Sequence, residues 1–414
     1  MKNTLVAATV AAGLGLGISP ASAQTTVEFW HSFGGSQGEA LNKIIAEFEA
    51  ANPDIKVAAE HVGNYDAIVT RLQAAIPARR APDAVIMEVT RYGLFADRGV
   101  LTDLTAKFDA DPLKADLFDY VLEVGVYQEK TYIVPFNSST PVMYINADLF
   151  ERAGLSKDTS LKTFDEVLAA AQTVQEKLGS EGIYGIGAPG QFSRWGLVMS
   201  NDSDLIDSVT GEILLDAPGT IEAYQWMGDL VYKHKVASPD GVTTEDMATD
   251  TFGLGKVGIL FGSTGNYGGL QKALGDNLIT LPMPCNKVCR VPVGGAGIGI
   301  LASSSTEEQD AAYKFISYAA SPEANAAWFK ATGYMPINKK TADQQDAKDA
   351  LANLPGIDTA IKQLDFAKGR PRPPVVTWMR SSEYPVWQQI ALNGADAETV
   401  LKDFAERTRK QAER

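Results

Sequence analysis

Ser36 is the residue whose surroundings come nearest to a known catalytic pattern. The segment Gly34–Gly38 matches G-x-S-x-G, which places a serine nucleophile on a sharp turn between a strand and a helix. The strand predicted before it ends near Trp30, several residues ahead of the serine. The histidines that could activate this serine, His61 and His234, have no evident acidic partner in the sequence. A hydrolase is therefore kept as an alternative and not as the main interpretation.

The remaining residue types offer little for acid–base, metal or phosphate-loop chemistry. The chain contains 3 histidines, and we find no pair of carboxylates at a useful spacing. The run Gly294–Gly299 does not match G-x-G-x-x-G, and Phe252–Val257 lacks the Ser or Thr of a P-loop. We therefore predict no catalytic residue, no metal site and no cofactor, and we predict that the protein is not an enzyme.

The two cysteines, Cys285 and Cys289, lie close together in the segment Pro-Cys-Asn-Lys-Val-Cys-Arg. In an oxidising compartment, cysteines at this spacing favour a disulfide that closes a small loop. Free thiols and a metal site are the alternatives. Zinc would require four ligands, and the histidines lie far away in the sequence.

The N-terminus has the pattern of a secretory signal peptide. A charged start at Met1–Asn3 is followed by the uncharged apolar run Leu5–Ile18, which is too short for a comfortable membrane span. Ala21–Ala23 then provides the small residues that signal peptidase requires. We predict that residues 1–23 are a signal peptide cleaved after Ala23, with a buried N-terminal helix as the alternative. Because no cysteine lies near this site, we predict a free periplasmic protein without a lipid anchor.

Length and charge restrict the remaining possibilities. The chain after the signal, about 390 residues, is too long for one compact core and suits two domains. The net charge is -14, which argues against nucleic acid and anionic lipid as partners. We find no later stretch of eighteen uninterrupted apolar residues, so no membrane span is predicted. The sequence contains nothing that requires an assembly larger than a monomer.

Strands and helices alternate from residue 25 onwards. The pattern predicts strands at 25–30, 55–59 and 84–87, a helix at 38–52 and a second helix from Tyr65. Such alternation predicts an α/β fold with largely parallel sheets covered by helices. Thr163–Glu166 and Thr306–Gln309 have the pattern of capping boxes that begin later helices. Without a long linker, we expect the chain to cross between its domains several times, with Pro135–Asn137 and Val293–Gly295 as candidate crossings.

Five segments together identify a family resemblance. They are Phe29-Trp30-His31-Ser32, Gly63-Asn64-Tyr65, Pro135–Val142 (Pro-Phe-Asn-Ser-Ser-Thr-Pro-Val), Gly294-Gly295-Ala296 and Thr332–Ile337 (Thr-Gly-Tyr-Met-Pro-Ile), in this order. With them the chain resembles the extracellular solute-binding proteins of carbohydrate-type ABC importers, and within these the members that bind sn-glycerol 3-phosphate. The likeness covers essentially the whole chain after the signal, and Phe136–Pro141 is its most specific part.

The resemblance implies two α/β lobes, each a mainly parallel sheet flanked by helices, with the ligand in the cleft between them. Periplasmic binding proteins of this kind close around their ligands by a hinge motion. We assign residues 24–136 and 296–330 to lobe 1, and residues 137–295 and 331–414 to lobe 2. The implied partners are a small-molecule phosphate ester and an inner-membrane ABC permease with its cytoplasmic ATPase.

The ligand contacts of the family can be carried over to matching positions of this chain. They fall on Tyr65, Glu88, Ser139, Ser263, Gly295, Tyr334 and Arg380. The family also stacks the ligand on tryptophans in the loop that matches Gly190–Trp195. Here Trp195 fits one tryptophan position, whereas Phe192 stands near the other.

These residue types suit a phosphate ester. A phosphate needs convergent donors, which Arg380, Ser139, Ser263 and the backbone N–H of Gly295 would supply. Glu88 would accept hydrogen bonds from ligand hydroxyls and should lie at the opposite end from the phosphate. A surface ion pair between Arg380 and Glu383 is the ordinary structural alternative for that arginine. We therefore predict capture of sn-glycerol 3-phosphate or a glycerophosphodiester; the altered segment at Phe192 makes a neutral or other anionic sugar the alternative.

Overall fold

The computed structural model describes residues 24–208, 210–243 and 245–413. The predicted signal peptide, residues 1–23, lies outside the described residues. Within the described ranges, we find no helix that is both long enough and apolar enough to span a bilayer.

Short strands and helices follow one another along the described chain. The strands are β1 (Thr25–His31), β2 (Ile55–His61), β3 (Ala84–Glu88), β4 (Val126–Tyr127), β5 (Lys130–Thr131), β6 (Val134–Ser139), β7 (Pro141–Asn146), β8 (Tyr184–Gly187), β9 (Ala237–Ser238), β10 (Val257–Ser263), β11 (Leu278–Leu281), β12 (Val291–Pro292), β13 (Gly294–Ile300) and β14 (Ala367–Lys368). The α-helices are α1 (Gly35–Ala51), α2 (Tyr65–Ala75), α3 (Gly93–Asp97), α4 (Thr105–Ala110), α5 (Leu113–Asp116), α6 (Asp119–Leu122), α7 (Ala147–Arg152), α8 (Phe164–Leu178), α9 (Gln191–Ser200), α10 (Pro218–Tyr232), α11 (Glu245–Gly253), α12 (Tyr267–Leu274), α13 (Thr306–Ala319), α14 (Pro322–Thr332), α15 (Gln345–Asn353), α16 (Thr359–Lys362), α17 (Pro374–Ala391) and α18 (Ala397–Ala412).

The beginning of the described chain folds as its hydrophobic pattern predicts. The three predicted strands correspond to β1, β2 and β3, and the predicted helices correspond to α1 and α2. Helix α1 buries Leu41, Ile44 and Phe48 against the sheet, because residues three or four apart lie on one face of a helix.

One of the two predicted capping boxes is present, and the other lies one residue earlier than predicted. At the start of α8, the Thr163 hydroxyl accepts from the N–H of Glu166, whose carboxylate accepts from the N–H of Thr163. At the start of α13, the cap is Ser305 and its partner is Glu308, so the prediction of Thr306 as the cap is wrong. The extended backbone of Ser305 aims its hydroxyl at the N–H of Glu308, at 3.2 Å.

The first sheet has the strand order β2-β1-β3-β13-β6. Strands β1, β2 and β3 are parallel, whereas β13 runs antiparallel to both β3 and β6. Four of its strands therefore share one direction. Buried apolar side chains from this sheet pack with those of α1, α13 and α14 in one continuous core.

The second sheet has the order β11-β7-β10-β8-β9 and also contains one reversed strand, β7. Its core includes apolar residues of α8, α9, α10, α17 and α18. A further core lies between β7, β10, α11, α12 and one side of α14, whose other buried residues belong to the core of the first sheet. This is a two-lobed α/β fold, as predicted.

The chain passes from the first sheet to the second through Thr140, which lies between β6 and β7 and is completely buried. The predicted crossing at Pro135–Asn137 lies within β6, a few residues earlier, because β6 keeps its pairing with β13 as far as Ser139. The return passage lies between β12 and β13, at the predicted Val293–Gly295. The lobe boundaries at 136/137, 295/296 and 330/331 stay predictions.

Cys285 and Cys289 are joined by a disulfide. The loop that it closes packs against the end of α9, where the backbone N–H groups of Lys287 and Val288 donate to the carbonyl of Ser200 at 2.9 and 3.1 Å. The last turn of a helix leaves carbonyl groups unpaired, and this loop satisfies one of them.

Candidate functional site

A cavity of about 530 Å³ lies between the two sheets and is lined by side chains from both lobes. Seven of the eight predicted contact residues line it: Tyr65, Glu88, Ser139, Ser263, Gly295, Tyr334 and Arg380. Its lining also includes residues that the sequence analysis did not single out as contacts, among them Phe33, Arg91, Gln191, Arg370 and Tyr384. The cavity thus gathers residues that are more than 300 positions apart in the sequence.

Several of these residues occupy the last position of a strand. Glu88 ends β3, Ser139 ends β6 and Ser263 ends β10. In open α/β sheets, ligands bind in the crevice outside the carboxyl ends of the strands. The strand ends therefore explain why the polar residues meet at this place.

Ser263 serves both the fold and the cavity. Its hydroxyl accepts from the N–H of Gly265 at 3.2 Å, and its own N–H donates to Oδ1 of Asn266 at 2.8 Å. These bonds cap the helical turn that follows β10. A hydroxyl that accepts one bond can still donate its hydrogen, so Ser263 remains a possible donor to a ligand.

Gly295 is required by the backbone itself. Its φ of +117° is unfavourable for residues with a side chain, and a Cβ there would lie 2.3 Å from the carbonyl oxygen of Asn137. The neighbouring Gly294 is equally confined, since a Cβ would lie 2.6 Å from Oγ of Ser139. The close approach of β13 and β6 thus explains Gly295 without a ligand, whereas Gly294 is confined by the side chains of Phe192 and Ser139.

One side of the cavity is aromatic. The rings of Tyr334 and Trp328 are stacked with centroids 5.8 Å apart, and Phe33 meets Trp328 edge-on at 4.8 Å. Phe33 also meets Tyr65 edge-on at 6.4 Å. Burial and the neighbouring Tyr334 raise the pKa of Tyr65 well above its usual value, so its hydroxyl stays protonated.

The cavity lining also carries three arginines around one carboxylate, which we call the Glu88 cluster: Glu88, Arg91, Arg370 and Arg380. Nη2 of Arg370 donates to Oε1 of Glu88, and Nη1 of Arg380 lies 3.8 Å from the same oxygen. Nε of Arg91 lies 3.9 Å from Oε2 of Glu88. Burial alone would disfavour the charged form of Glu88, but Arg370, Arg380 and Arg91 outweigh it and lower its pKa to about 2.

The Glu88 cluster has more donors than acceptors. Among the described residues, Nη1 of Arg370, Nη1 of Arg380 and Nε of Arg91 have no hydrogen-bond partner. Burial lowers the pKa of Arg370 to about 10, because Glu88 alone does not compensate for its loss of solvent. Buried donors without partners are costly, so the arrangement favours an additional anion.

The geometry corrects two predictions for this region. Glu88 was expected at the end of the ligand opposite to the phosphate donor Arg380, yet the two side chains are 3.8 Å apart. A buried carboxylate needs counter-charges, and Glu88 finds them in the same arginines that would hold an anion. Arg380 does not form the alternative surface ion pair with Glu383: it is buried, and Glu383 pairs with Arg194.

Gln191 connects the Glu88 cluster to a second group of buried charges. Its Oε1 accepts from Nε of Arg380 at 2.9 Å and from Nη2 of Arg91 at 3.4 Å. Its Nε2 donates to Oε2 of Glu383 at 2.8 Å. The Gln191 side chain therefore fixes the orientation of the Arg380 guanidinium.

Trp195 is the predicted contact that does not reach the cavity. Its segment is not a loop but the first part of α9, and its ring is completely buried. The ring lies against the guanidinium groups of Arg370 and Arg380, with centroid distances of 5.2 and 5.9 Å. Phe192 lines the cavity instead. The prediction of direct contact therefore moves from Trp195 to Phe192, and Trp195 supports the arginines by cation–π contact.

The alternative of a serine hydrolase receives no support from this geometry. β1 ends at His31 and α1 begins at Gly35, so Ser36 lies in the first turn of a helix and not on a strand-to-helix elbow. His61 stacks on His31, with centroids 5.7 Å apart. His31 is itself a poor base at neutral pH, because burial and His61 lower its pKa to about 4.

Sequence reasoning missed Arg91 and Arg370, although each had a signal. Arg91 follows Glu88 by three positions, just past the end of a buried strand. Arg370 lies in the proline-rich segment Gly369–Pro374, where an exposed arginine is an ordinary expectation. Only the fold shows that this segment returns to the cavity, where Nε of Arg370 donates to the carbonyl of Val293 at 3.0 Å.

Comparison with known proteins agrees with this architecture. The periplasmic sn-glycerol-3-phosphate-binding protein UgpB of Escherichia coli strain K12 is 27% identical over 399 aligned residues, 88% of this chain and 87% of that protein. The crystal structure of UgpB from Mycobacterium tuberculosis in complex with glycerophosphocholine superimposes with a TM-score of 0.83, at 24% identity, and covers 93% of this chain and 98% of that one.

A sugar-binding relative has the same fold. The substrate-binding protein Lmo0181 of Listeria monocytogenes, solved with cycloalternan, superimposes with a TM-score of 0.84 at 22% identity, covering 94% of this chain and 99% of that one. The profile of the bacterial extracellular solute-binding proteins matches residues 43–355. The two-lobed fold, the cavity between the lobes and this match lead to one conclusion: the chain belongs to the bacterial extracellular solute-binding proteins.

Proposed function

We propose that this protein captures sn-glycerol 3-phosphate or a glycerophosphodiester in the periplasm and delivers it to an inner-membrane ABC permease with a cytoplasmic ATPase. The observation that carries the proposal is the gathering of Arg91, Arg370 and Arg380 on one cavity wall of a protein whose net charge is -14. An acidic protein repels anions in general, so a local excess of guanidinium groups is the feature that an anionic ligand requires.

The other lining residues suit a phosphate ester. Arginine binds phosphate oxygens in pairs through its planar fork, and the hydroxyls of Ser139 and Ser263 can donate from the ends of β6 and β10. Each hydrogen bond to a charged group contributes roughly 1.5–3 kcal/mol. Four such bonds, less the cost of ordering and closure, give about −8 kcal/mol, which corresponds to micromolar affinity.

The relatives support the same assignment. The E. coli relative is named for sn-glycerol 3-phosphate and for the periplasm, and the M. tuberculosis structure contains glycerophosphocholine. The export pattern at residues 1–23 agrees with a periplasmic protein that is released from the membrane by cleavage. We infer that the protein acts as a monomer and that binding, without any chemical change to the ligand, is its task.

A neutral or other anionic sugar is the second candidate. Glu88 already engages the arginines, and the aromatic rings of Phe33, Tyr65 and Tyr334 would suit the face of a sugar ring. Several relatives of the same fold bind oligosaccharides, including the one solved with cycloalternan.

Calorimetry of residues 24–414 separates the two candidates. The titrated ligands are sn-glycerol 3-phosphate, glycerophosphocholine and the disaccharide maltose. We expect micromolar binding of at least one phosphate ester and no heat with the disaccharide. Binding of the disaccharide without either phosphate ester would overturn the proposal, and equal affinity for a ligand with and without its phosphate would favour the sugar.

A further inference from the structure

The charged side chains that line the cavity have a small net charge. Among the described residues, the charged side chains that line it are Asp66, Glu88, Arg91, Arg370 and Arg380. Three guanidinium groups face two carboxylates, so one positive charge is in excess. The nearby Arg194 and Glu383 form their own pair and leave this balance unchanged.

Both carboxylates are paired with arginines. Glu88 is buried and accepts hydrogen bonds from Arg370, from Thr90 Oγ1 and from the N–H of Thr90, the last at 3.0 Å. Asp66 accepts a hydrogen bond from Nη1 of Arg91. The arginines are therefore already paired with carboxylates when a ligand binds. The charge of the ligand must match the one positive charge that remains in excess.

Resting on the proposed function, we infer that the Glu88 cluster selects phosphodiesters over phosphomonoesters. A diester carries one negative charge, which matches the single excess positive charge. A monoester at neutral pH carries nearly two, because its second ionisation has a pKa near 6. The second charge of the monoester has no counter-charge in the cavity wall. The Glu88 carboxylate lies 3.8 Å from the Arg380 guanidinium, so a phosphate oxygen bound to Arg380 lies close to a negative charge.

The dimensions of the cavity agree with this class of ligand. Its volume of about 530 Å³ lies within the range of roughly 300–1,000 Å³ that holds drug-sized molecules. A second alcohol on the phosphate therefore has room. The uncharged polar side chains of Asn64, Thr243 and Ser381 also line the cavity and can bond such an alcohol.

The charge argument predicts a pH signature that simple contacts would not produce. Between pH 8 and pH 5 a phosphomonoester takes up a proton and becomes a monoanion, whereas a phosphodiester keeps its charge. The protein groups that face the ligand are Asp66, Glu88 and the three arginines, together with the tyrosines Tyr65, Tyr334 and Tyr384. In the described part of the chain, no histidine lines the cavity. The pH dependence should therefore come from the ligand.

Calorimetry at pH 8 and pH 5, at constant salt, tests the inference with sn-glycerol 3-phosphate and glycerophosphoglycerol, a diester whose second alcohol is neutral. We expect the diester to bind at least tenfold tighter at pH 8, and the difference to shrink to threefold or less at pH 5. A monoester that binds as tightly as the diester at pH 8 overturns the inference. A diester preference that persists unchanged at pH 5 also overturns it, because contacts to the alcohol would then be the cause.

Failure of the proposed function would look different, since neither ester would bind at either pH. A variant arm removes one of the lining carboxylates. Glu88→Gln leaves two excess positive charges, so the diester-to-monoester affinity ratio at pH 8 should fall at least fivefold. The matched control is Glu60→Gln, an exposed carboxylate paired with Arg71, which should leave the ratio unchanged.

If Glu88→Gln does not fold, as judged by circular dichroism, Asp66→Asn removes the other lining carboxylate, which is 36% exposed. The same fall in the affinity ratio is expected from it, in smaller measure because solvent screens this position. An unchanged ratio in a folded variant of either kind contradicts the charge argument.

Discussion

Two buried carboxylates, Glu383 and Glu88, stand in arginine-rich surroundings only one side chain apart, yet they are satisfied very differently. Glu383 is 3% exposed and Glu88 is 6% exposed, so both need counter-charges. Gln191 contacts Glu383 directly and reaches the Glu88 cluster through Arg380. The two groups therefore share a neighbourhood and differ in their bonding.

The Glu383 network, which consists of Glu383, Arg194, Tyr224 and Gln191, is complete. Nε and Nη2 of Arg194 donate to the two carboxylate oxygens at 2.7 and 2.6 Å. The Tyr224 hydroxyl and Nε2 of Gln191 add bonds of 2.7 and 2.8 Å. One cation faces one anion, and every donor that points to the carboxylate is used.

The Glu88 cluster is incomplete by comparison. Three cations surround one buried anion, and donors on Arg91, Arg370 and Arg380 lack partners among the described residues. An ion pair that stabilises the fold typically has all its hydrogen-bonding groups satisfied. A surplus of buried donors without partners is typical of a ligand-binding site. The two carboxylates therefore give a direct way to separate stability from binding.

Removal of Glu383 should have the largest effect on stability. The variant Glu383→Ala leaves Arg194 buried without a counter-charge, and such a loss costs about 3–5 kcal/mol. Urea unfolding followed by circular dichroism measures it. As a control, Glu222→Ala removes the half-exposed partner of Lys287 and should cost less than about 1 kcal/mol. Similar losses for both variants would show that the Glu383 network is not the special structural pair we describe.

Acid should reveal the contribution of Glu88. Its pKa is lowered from 4.5 to about 2, chiefly because Arg370, Arg380 and Arg91 overcome the cost of burial. The associated stability is thus fully present above pH 4.5 and is lost as the pH falls towards 2; it amounts to about 3 kcal/mol. Urea unfolding of wild type and Glu88→Gln should differ most at pH 6 and converge as the pH approaches 2. A difference that is constant with pH would contradict the assigned pKa.

The sequence predicted the parts of the fold that depend on local pattern. The alternation of β1, α1, β2, α2 and β3 follows from hydrophobic spacing. The end of β6 could not be placed from the sequence, because it depends on its partner β13, which lies more than 150 residues later. Pairing over such distances leaves no local signal.

The site residues that belong to a family motif could be predicted from the sequence. Those that only tertiary contacts bring to the cavity could not. Seven residues matched to family positions line the cavity. Trp195 was misplaced because neighbouring positions of α9 are all buried, so the pattern does not tell which side chain faces the ligand. Arg370 was missed because its pairing with Glu88 joins positions separated by 282 residues.

Replacement of Arg380 should weaken binding and leave the fold intact, opposite to the result for Glu383. Arg380→Ala removes one charge-assisted contact to a phosphate, which costs about 2 kcal/mol or about thirtyfold in affinity. Calorimetry with a phosphate ester measures the loss, and thermal unfolding monitors the fold. Arg407→Ala, which removes an exposed pair with Asp403, is the control and should change neither quantity. A large fall in melting temperature for Arg380→Ala would assign this arginine to the structural group.

Gln191 contacts both the Glu88 cluster and the Glu383 network. We therefore expect its replacement to have the smallest effect and to separate ligand binding from stability most clearly. Gln191→Met keeps the length of the side chain but loses the bonds to Arg380 and to Glu383. Because Arg194 and Tyr224 still bond to Glu383, we expect stability to change little, while loss of the bond that orients Arg380 lowers ligand affinity by about 1 kcal/mol, or about fivefold. Gln345→Met, which removes an exposed amide bonded to Asp349 away from the cavity, provides the matched control. Lower stability with unchanged affinity would mean that Gln191 completes the Glu383 network and does not position the arginine.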